Sequence, residues 1–243
     1  MYWLKLKKKE LLVELEQKGF FISVIEDIIK AYKKIGYRVQ YETLNASWYG
    51  SSTKRERVII VAIRNDIGGV FEFPEIEHYD NKKNPPINRI RAKNKLKPLV
   101  TVQDALNRIK YSPSDLDNIP MTHKEKTVER FSYIPQGKNI VDVMDQIPED
   151  LRVSSFYSRG NTMRLDPNKP SPTLVPGHSN FPIPPYDHRS ITVREAATIT
   201  GFPVNYKFFG THTKRCELVG NAVPVDLARA VGESVRDFLD KNL

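Results

Sequence analysis

The chain has 243 residues, 40% of them hydrophobic, enough for one large or two small packed domains, and its formal charge of +9 favours a polyanionic partner whose neutralised phosphates release counterions. Cys216 is the only cysteine, which excludes an intrachain disulfide, and the five histidines show none of the spacings of paired metal ligands, so no metal site is expected. No stretch approaches the roughly 20 apolar residues of a membrane span, and MYWLKLKKKE lacks the apolar run of a secretory signal, so no membrane partner and a cytoplasmic location are expected.

Residues 10–35 read as helix, because Val24, Ile25, Ile28, Ile29, Tyr32 and Ile35 recur near a 3.6-residue period and Gly36 follows as a stop. A β pair is expected next. Residues 37–44 carry alternating Val39, Tyr41 and Thr43, and Val58 to Ile63 form the continuous apolar run VIIVAI of a strand buried on both faces. The polar turn between them, NASWYGSSTKRER, is dense in positive charge. Alternate residues of a strand end point to one side, so Arg55 and Arg57 are expected to present two planar guanidinium forks together.

From about Asn65 the periodicity fades. Residues 82–97, KKNPPINRIRAKNKLK, hold seven basic residues and no acidic one, among them Arg89, Arg91, Lys93, Lys95 and Lys97. Ten of the 17 prolines lie between Pro135 and Pro203, which predicts turns and short strands with little long helix. Short helices are expected in TVQDALNRI, with Thr101 as cap, and over Ile140 to Gln146. Thr192 caps a further helix beginning near Val193, with Glu195 as its capping-box partner. Gly201 ends that helix and Pro203 prevents its resumption. Pro224 suits the first turn of a last helix, whose apolar face is Val225, Leu227, Ala228, Val231, Val235 and Phe238.

The stretches RSITVREAATITGFP and VGNAVP, in that order and within about forty residues, resemble the ninth and tenth motifs of the DNA (cytosine-5) methyltransferases. Arg189, Thr192, Arg194, Glu195, Ala196, Gly201, Phe202 and Pro203 match the first, and Gly220, Asn221, Ala222, Val223 and Pro224 the second; Thr198 and Thr200 depart from the usual Arg and Gln. The segment GYRVQYETLNASWYGSSTKRERVIIVAIR is similar to the seventh and eighth motifs, through Gly36, Tyr37, Val39, Leu44, Asn45, Ala46, Tyr49, Gly50, Arg55 and Arg57, with Ser52 and Thr53 in place of the common Pro and Gln.

The resemblance implies an α/β fold: the C-terminal part of a Rossmann-like, S-adenosylmethionine-dependent methyltransferase domain, with an irregular, mostly β target-recognition domain inserted. The corresponding boundaries are residues 1–66 for the catalytic portion, 67–188 for the recognition domain and 189–243 for the return to the catalytic domain. It also implies that Arg55 and Arg57 face the target nucleotide and that Asn221, Ala222 and Val223 touch the cofactor; the charge of the basic run points to Arg89, Arg91, Lys93, Lys95 and Lys97 as contacts to double-stranded DNA.

Methylation at C5 of cytosine requires an activated thiolate to add at C6, an acid near N3, and the methyl donor held beside a base extruded from the duplex. The family's Pro-Cys, Glu-Asn-Val and Phe-x-Gly-x-Gly motifs serve these needs, and none of the three occurs in this sequence. Cys216 precedes the tenth motif and is not expected to be the nucleophile. The expectation is therefore the C-terminal subunit of a split enzyme of a prokaryotic restriction-modification system, inactive alone, with most of the S-adenosylmethionine pocket and the catalytic cysteine on a second subunit. The alternative is an inactive DNA-binding remnant of a truncated gene. An incomplete sheet is expected to leave an open strand edge, and the isolated chain to self-associate.

Overall fold

A computed structural model of the chain describes residues 24–80, 92–110, 112–154, 160–177 and 180–243. Helix α1, Val24–Lys34, carries Glu26 and Asp27 in its first turn and Lys33 and Lys34 in its last, charges that oppose the helix dipole at both ends. The first part of the expected 10–35 helix lies outside the described residues. Gly36, at φ +84°, turns the chain into strand β1, Tyr37–Asn45. Strand β1 pairs antiparallel with β3, Glu56–Arg64, in a register running from Tyr37 opposite Arg64 to Asn45 opposite Glu56.

Because side chains alternate across a strand, one face of this ribbon carries Leu44, Ile59, Val61 and Ile63. That face is covered. Leu44 packs with Ala46, Tyr49 and Leu227, and Ile63 with Phe71 and Phe238. The opposite face carries Tyr41 and Val58, which are 48% and 45% exposed. The expectation that VIIVAI is buried on both faces is therefore corrected. Only Ile63 of that run is buried, since among the described residues the sheet has two strands and one apolar covering layer.

The covering helix is α6, Val225–Asn242, which begins directly after Pro224 and buries Leu227 and Phe238. Val235, expected on its apolar face, is 37% exposed. Two shorter helices precede it. Helix α4, Val193–Ile199, is buried at all seven positions and starts with the expected Thr192–Glu195 capping box. Helix α5, His212–Asn221, is capped by Thr211 and was not anticipated. Among the described residues the largest core cluster packs Val102, Leu165, Leu174 and Phe181 against α4 and against Cys216 and Val219 of α5.

Residues 67–188, expected to be irregular and mostly β, are irregular but not mostly β. Their described strands are β4, Ile76–His78, β5, Ala92–Lys97, and β6, Ser171–Pro172, the first two paired in parallel. The remaining regular structure is helical: α2, Val102–Leu106, with the expected Thr101 cap; α3, Glu125–Ser132; and several 3₁₀ turns, including Ile140–Gln146. Proline removes ladder donors, and here a side chain takes over their work. The buried Arg164 donates to the carbonyls of Phe131, Ile134, Pro184 and Asp187. Those bonds hold the core of Phe131, Ile134, Ile140, Ile147, Leu151 and Ile183 together without a sheet.

Leu44 has no exposed surface and joins β1 to α6. Its replacement, Leu44→Ala, is expected to lower stability by about 2–5 kcal/mol in chemical denaturation, as buried leucine truncations do. Val58→Thr, on the open face, should cost under about 0.5 kcal/mol.

Candidate functional site

Residues 45–55 form the connection between β1 and β3, and their path is set by side-chain hydrogen bonds. Asn45 caps a 3₁₀ turn over Ala46–Tyr49, and Gly50, at φ +98°, closes it. Ser51 and Ser52 are fully buried, and the Ser52 hydroxyl donates to the Ile199 carbonyl at the end of α4 (3.0 Å). Strand β2, Thr53–Lys54, then pairs in parallel with β6. The Thr53 hydroxyl donates to the Pro172 carbonyl at 3.1 Å. The Ser and Thr standing where the family commonly has Pro and Gln thus tie the loop to α4 and to the segment around Pro172.

Arg55 and Arg57 do not present their guanidiniums together. The Arg55 amide bonds the Thr53 carbonyl two residues back, a γ-type turn that breaks the alternation before β3 begins. Arg55 is 3% exposed and points inward, donating from Nη1 to the Leu174 carbonyl (2.9 Å) and from Nη2 to the Gly220 carbonyl (2.7 Å). Burial, and then the neighbouring Arg57 charge, lower its pKa to about 10, so it remains a cation at neutral pH. Arg57 is half-exposed and donates to the carbonyl of Glu56.

Gly220 sits one residue before the end of α5, against Pro176. A Cβ there would stand 2.4 Å from the Pro176 Cα, so only glycine fits. Ala222 leaves the helix with extended backbone, and its amide bonds the Val219 carbonyl. Asn221 and Val223 are exposed, Ala222 is half-buried, and Pro224 is buried at the head of α6. The start of α6 is anchored to the end of α4, because the Val225 amide bonds the Thr200 carbonyl (3.0 Å) and Asp226 packs over Gly201, at φ +86°. An exposed carboxamide and an apolar side chain at a helix junction suit one wall of an S-adenosylmethionine site. A separate cleft of about 480 Å³ lies between residues 69–77 and α6, lined by Glu72, Glu75, Glu77, Glu233 and Asp237, and does not include Asn221 to Val223.

The charged residues of the ninth motif are structural. Arg194 is 2% exposed and bonds Asp115, Asp117 and the Tyr206 carbonyl. Arg215 reaches the same Asp117 at 2.6 Å. Arg189 holds Glu195 through a bidentate pair at 2.7 and 2.8 Å. Helix α4 is thereby bound to the loop carrying Asp115 and Asp117 and, through Asp117, to α5. Sequence reading missed Asp115 and Asp117 altogether: each is a lone carboxylate in the SPSDLDN loop, with its arginine partners 77 to 98 residues away.

Of the basic run, Arg89 and Arg91 lie outside the described residues. Lys93, Lys95 and Lys97 are exposed on alternate positions of β5. Lys93 is paired with Glu77, which also draws Lys97 (3.8 Å), so the run is less positive in space than in sequence. Cys216 is buried on α5, 3.5 Å from the His212 ring, and burial pushes its thiol up to about 11. Among the described residues no three His, Cys, Asp or Glu side chains come together to hold a metal, and no helix is long and apolar enough to cross a membrane.

Residues 12–237 match the sequence profile of the C-5 cytosine-specific DNA methylases. The chain belongs to that family. Among similar members, M.NgoFVII of Neisseria gonorrhoeae, a type II methyltransferase, is 30% identical over 97% of this chain and 62% of its own length. The type II methyltransferase M.Eco47II of Escherichia coli is 30% identical over 92% of this chain and 51% of its own. M.BspRI of Lysinibacillus sphaericus is 31% identical over 89% and 47%. The chain thus spans about half to three fifths of the length of these relatives. A solved Escherichia coli prophage protein, a putative DNA modification methyltransferase, superposes with a TM-score of 0.60 over 87% of this chain and 64% of its own, at 20% identity. That likeness bears on the α/β fold.

The state of Cys216 is directly measurable. At pH 8 a thiol with a pKa of about 11 is roughly one-thousandth thiolate, so a thiol reagent should label the folded chain far more slowly than the denatured one. Rapid native labelling would mean that the cysteine is open.

Proposed function

We propose that this chain forms the C-terminal part of a DNA (cytosine-5) methyltransferase of a restriction-modification system. In this reading it contributes target recognition and one wall of the active site, and a second polypeptide contributes the catalytic cysteine, the acid near N3 and most of the cofactor pocket. The observation that carries the reading is the meeting of the arginine loop, α4 and the Gly220–Pro224 turn, in a chain whose sole cysteine is buried and kept protonated.

Each residue then has a physical task. Arg57, half-exposed beside the loop, meets the target nucleotide with its free guanidinium donors. Asn221, Ala222 and Val223 contact the methionine end of S-adenosylmethionine, the group that supplies the methyl for transfer to C5. Lys93, Lys95 and Lys97, together with Arg89 and Arg91, neutralise phosphates and set the register on the duplex. The partner's thiolate adds to C6 as its acid protonates N3, so that C5 becomes nucleophilic and takes the methyl as the donor's S–CH3 bond breaks; a base then takes the C5 proton and the C6–S bond breaks to return the thiolate.

Methyl transfer from radiolabelled S-adenosylmethionine to duplex DNA should require both this chain and a polypeptide bearing the Pro-Cys and Glu-Asn-Val motifs. Turnover by this chain alone would defeat the proposal. In the combined enzyme Arg57→Ala should lower kcat by about 10²-fold, the scale of losing one charge-assisted contact in a transition state. Lys95→Gln should flatten the dependence of DNA affinity on salt, reducing the log–log slope by about 0.9 for one lost phosphate contact.

A further inference from the structure

We infer that Arg55 is a positioning residue for the Asn221–Val223 segment, holding the end of α5 against the recognition segment so that these residues stand in a fixed place. The inference rests on the cofactor role proposed for that segment. Its grounds are separate, and lie in where the guanidinium is and what it holds.

Arg55 is buried, and both of its hydrogen bonds go to backbone carbonyls. A fixed cation in such a place needs acceptors that are themselves in want of donors. The Gly220 carbonyl is one. It lies in the last turn of α5, where four carbonyls have no partner within the helix and the dipole is negative. The Leu174 carbonyl, just beyond β6, is the other, and the planar fork reaches both at once because they lie on two segments already in contact. That contact is the seat of Gly220 on Pro176, where no Cβ is tolerated.

The segment after α5 has few other restraints. The Ala222 amide bonds back to Val219, and the Val225 amide crosses to Thr200. Asn221, the last residue of α5, and Val223, between these two bonds, are exposed. Loss of the Arg55 bond to Gly220 would free the helix end that carries them. Arg57, two residues further on, bonds only its neighbour's carbonyl among the partners seen here, so the two arginines divide the work: Arg55 holds the site and Arg57 remains available to the nucleotide.

The test is hydrogen exchange on the whole chain, comparing R55K and R55Q with R57K. A lysine keeps the charge but cannot bond both carbonyls through a planar fork. R55K should keep the overall circular dichroism and the protection of α4 and of the Phe131–Leu151 core. It should raise exchange about tenfold or more in peptides spanning 172–177 and 216–224, the consequence of losing a charge-assisted bond. R57K should leave those peptides unchanged. In the enzyme reconstituted with the cysteine-bearing polypeptide, R55K should weaken S-adenosylmethionine in equilibrium binding and leave DNA affinity as it was.

Unaltered exchange at 216–224, uniform loosening of the whole chain, or local loosening with intact cofactor affinity would each overturn the inference. The exchange measurement needs neither a partner nor turnover. Failure of the divided-enzyme reading would instead appear as absence of methyl transfer by the unaltered pair.

Discussion

Buried carbonyl groups need donors, and in this chain arginine side chains supply many of them. Where regular strands are short and prolines frequent, backbone acceptors lack ladder partners, and each would cost free energy if left bare. Arginine offers five N–H groups in a planar array. Arg38 donates to Ile67, Gly68 and Gly69 and so pins the segment crossing the β1–β3 ribbon. Arg164 gathers the four carbonyls of Phe131, Ile134, Pro184 and Asp187, and Arg55 gathers two from opposite sides of the candidate site. The strand ribbon, the irregular segment that follows it and the C-terminal helices depend on these side chains for their mutual placement.

Local signals were the legible part of this fold. The β1–β3 pair, the Thr101 and Thr192 caps and the helix after Pro224 follow from alternation, capping chemistry and helical period, which act over a few residues. Helix α5 was missed because HTKRCELVGN has little amphipathic contrast and ends in a Gly-Asn pair that reads as a turn. Its helicity comes from the cap at Thr211 and from packing Cys216 and Val219 into the α4 cluster. Burial of both faces of VIIVAI was inferred from an apolar run, but a run does not reveal how many layers cover it.

The candidate site was legible as a set of residues and not as a set of directions. Arg55 and the Gly220–Pro224 turn were both singled out by motif, and they do meet. What could not be read was that Arg55 turns inward, because that depends on a two-residue kink at Thr53 and on acceptors 119 and 165 residues away. The charged ninth-motif residues likewise proved to be ties between segments, Arg194 to Asp115 and Asp117 above all. For the basic run, sequence counts charge but omits Glu77, which β4 carries in from outside the run to meet Lys93.

The distance in sequence between Arg55 and Gly220 also bears on how the chain is made. During synthesis the arginine leaves the ribosome 165 residues ahead of its acceptor, a wait of roughly 8–33 s at about 5–20 residues per second. For most of that interval the cation and the Thr53 hydroxyl await the carbonyls of Leu174 and Pro172, the Ser52 hydroxyl awaits Ile199 longer still, and Leu44 and Ile63 lack helix α6 to the end. The N-terminal ribbon therefore cannot mature as an independent unit on the ribosome. Nascent chains should remain substrates for holding chaperones until the last helix has emerged, and a stop codon anywhere before α6 should yield a product cleared by proteolysis.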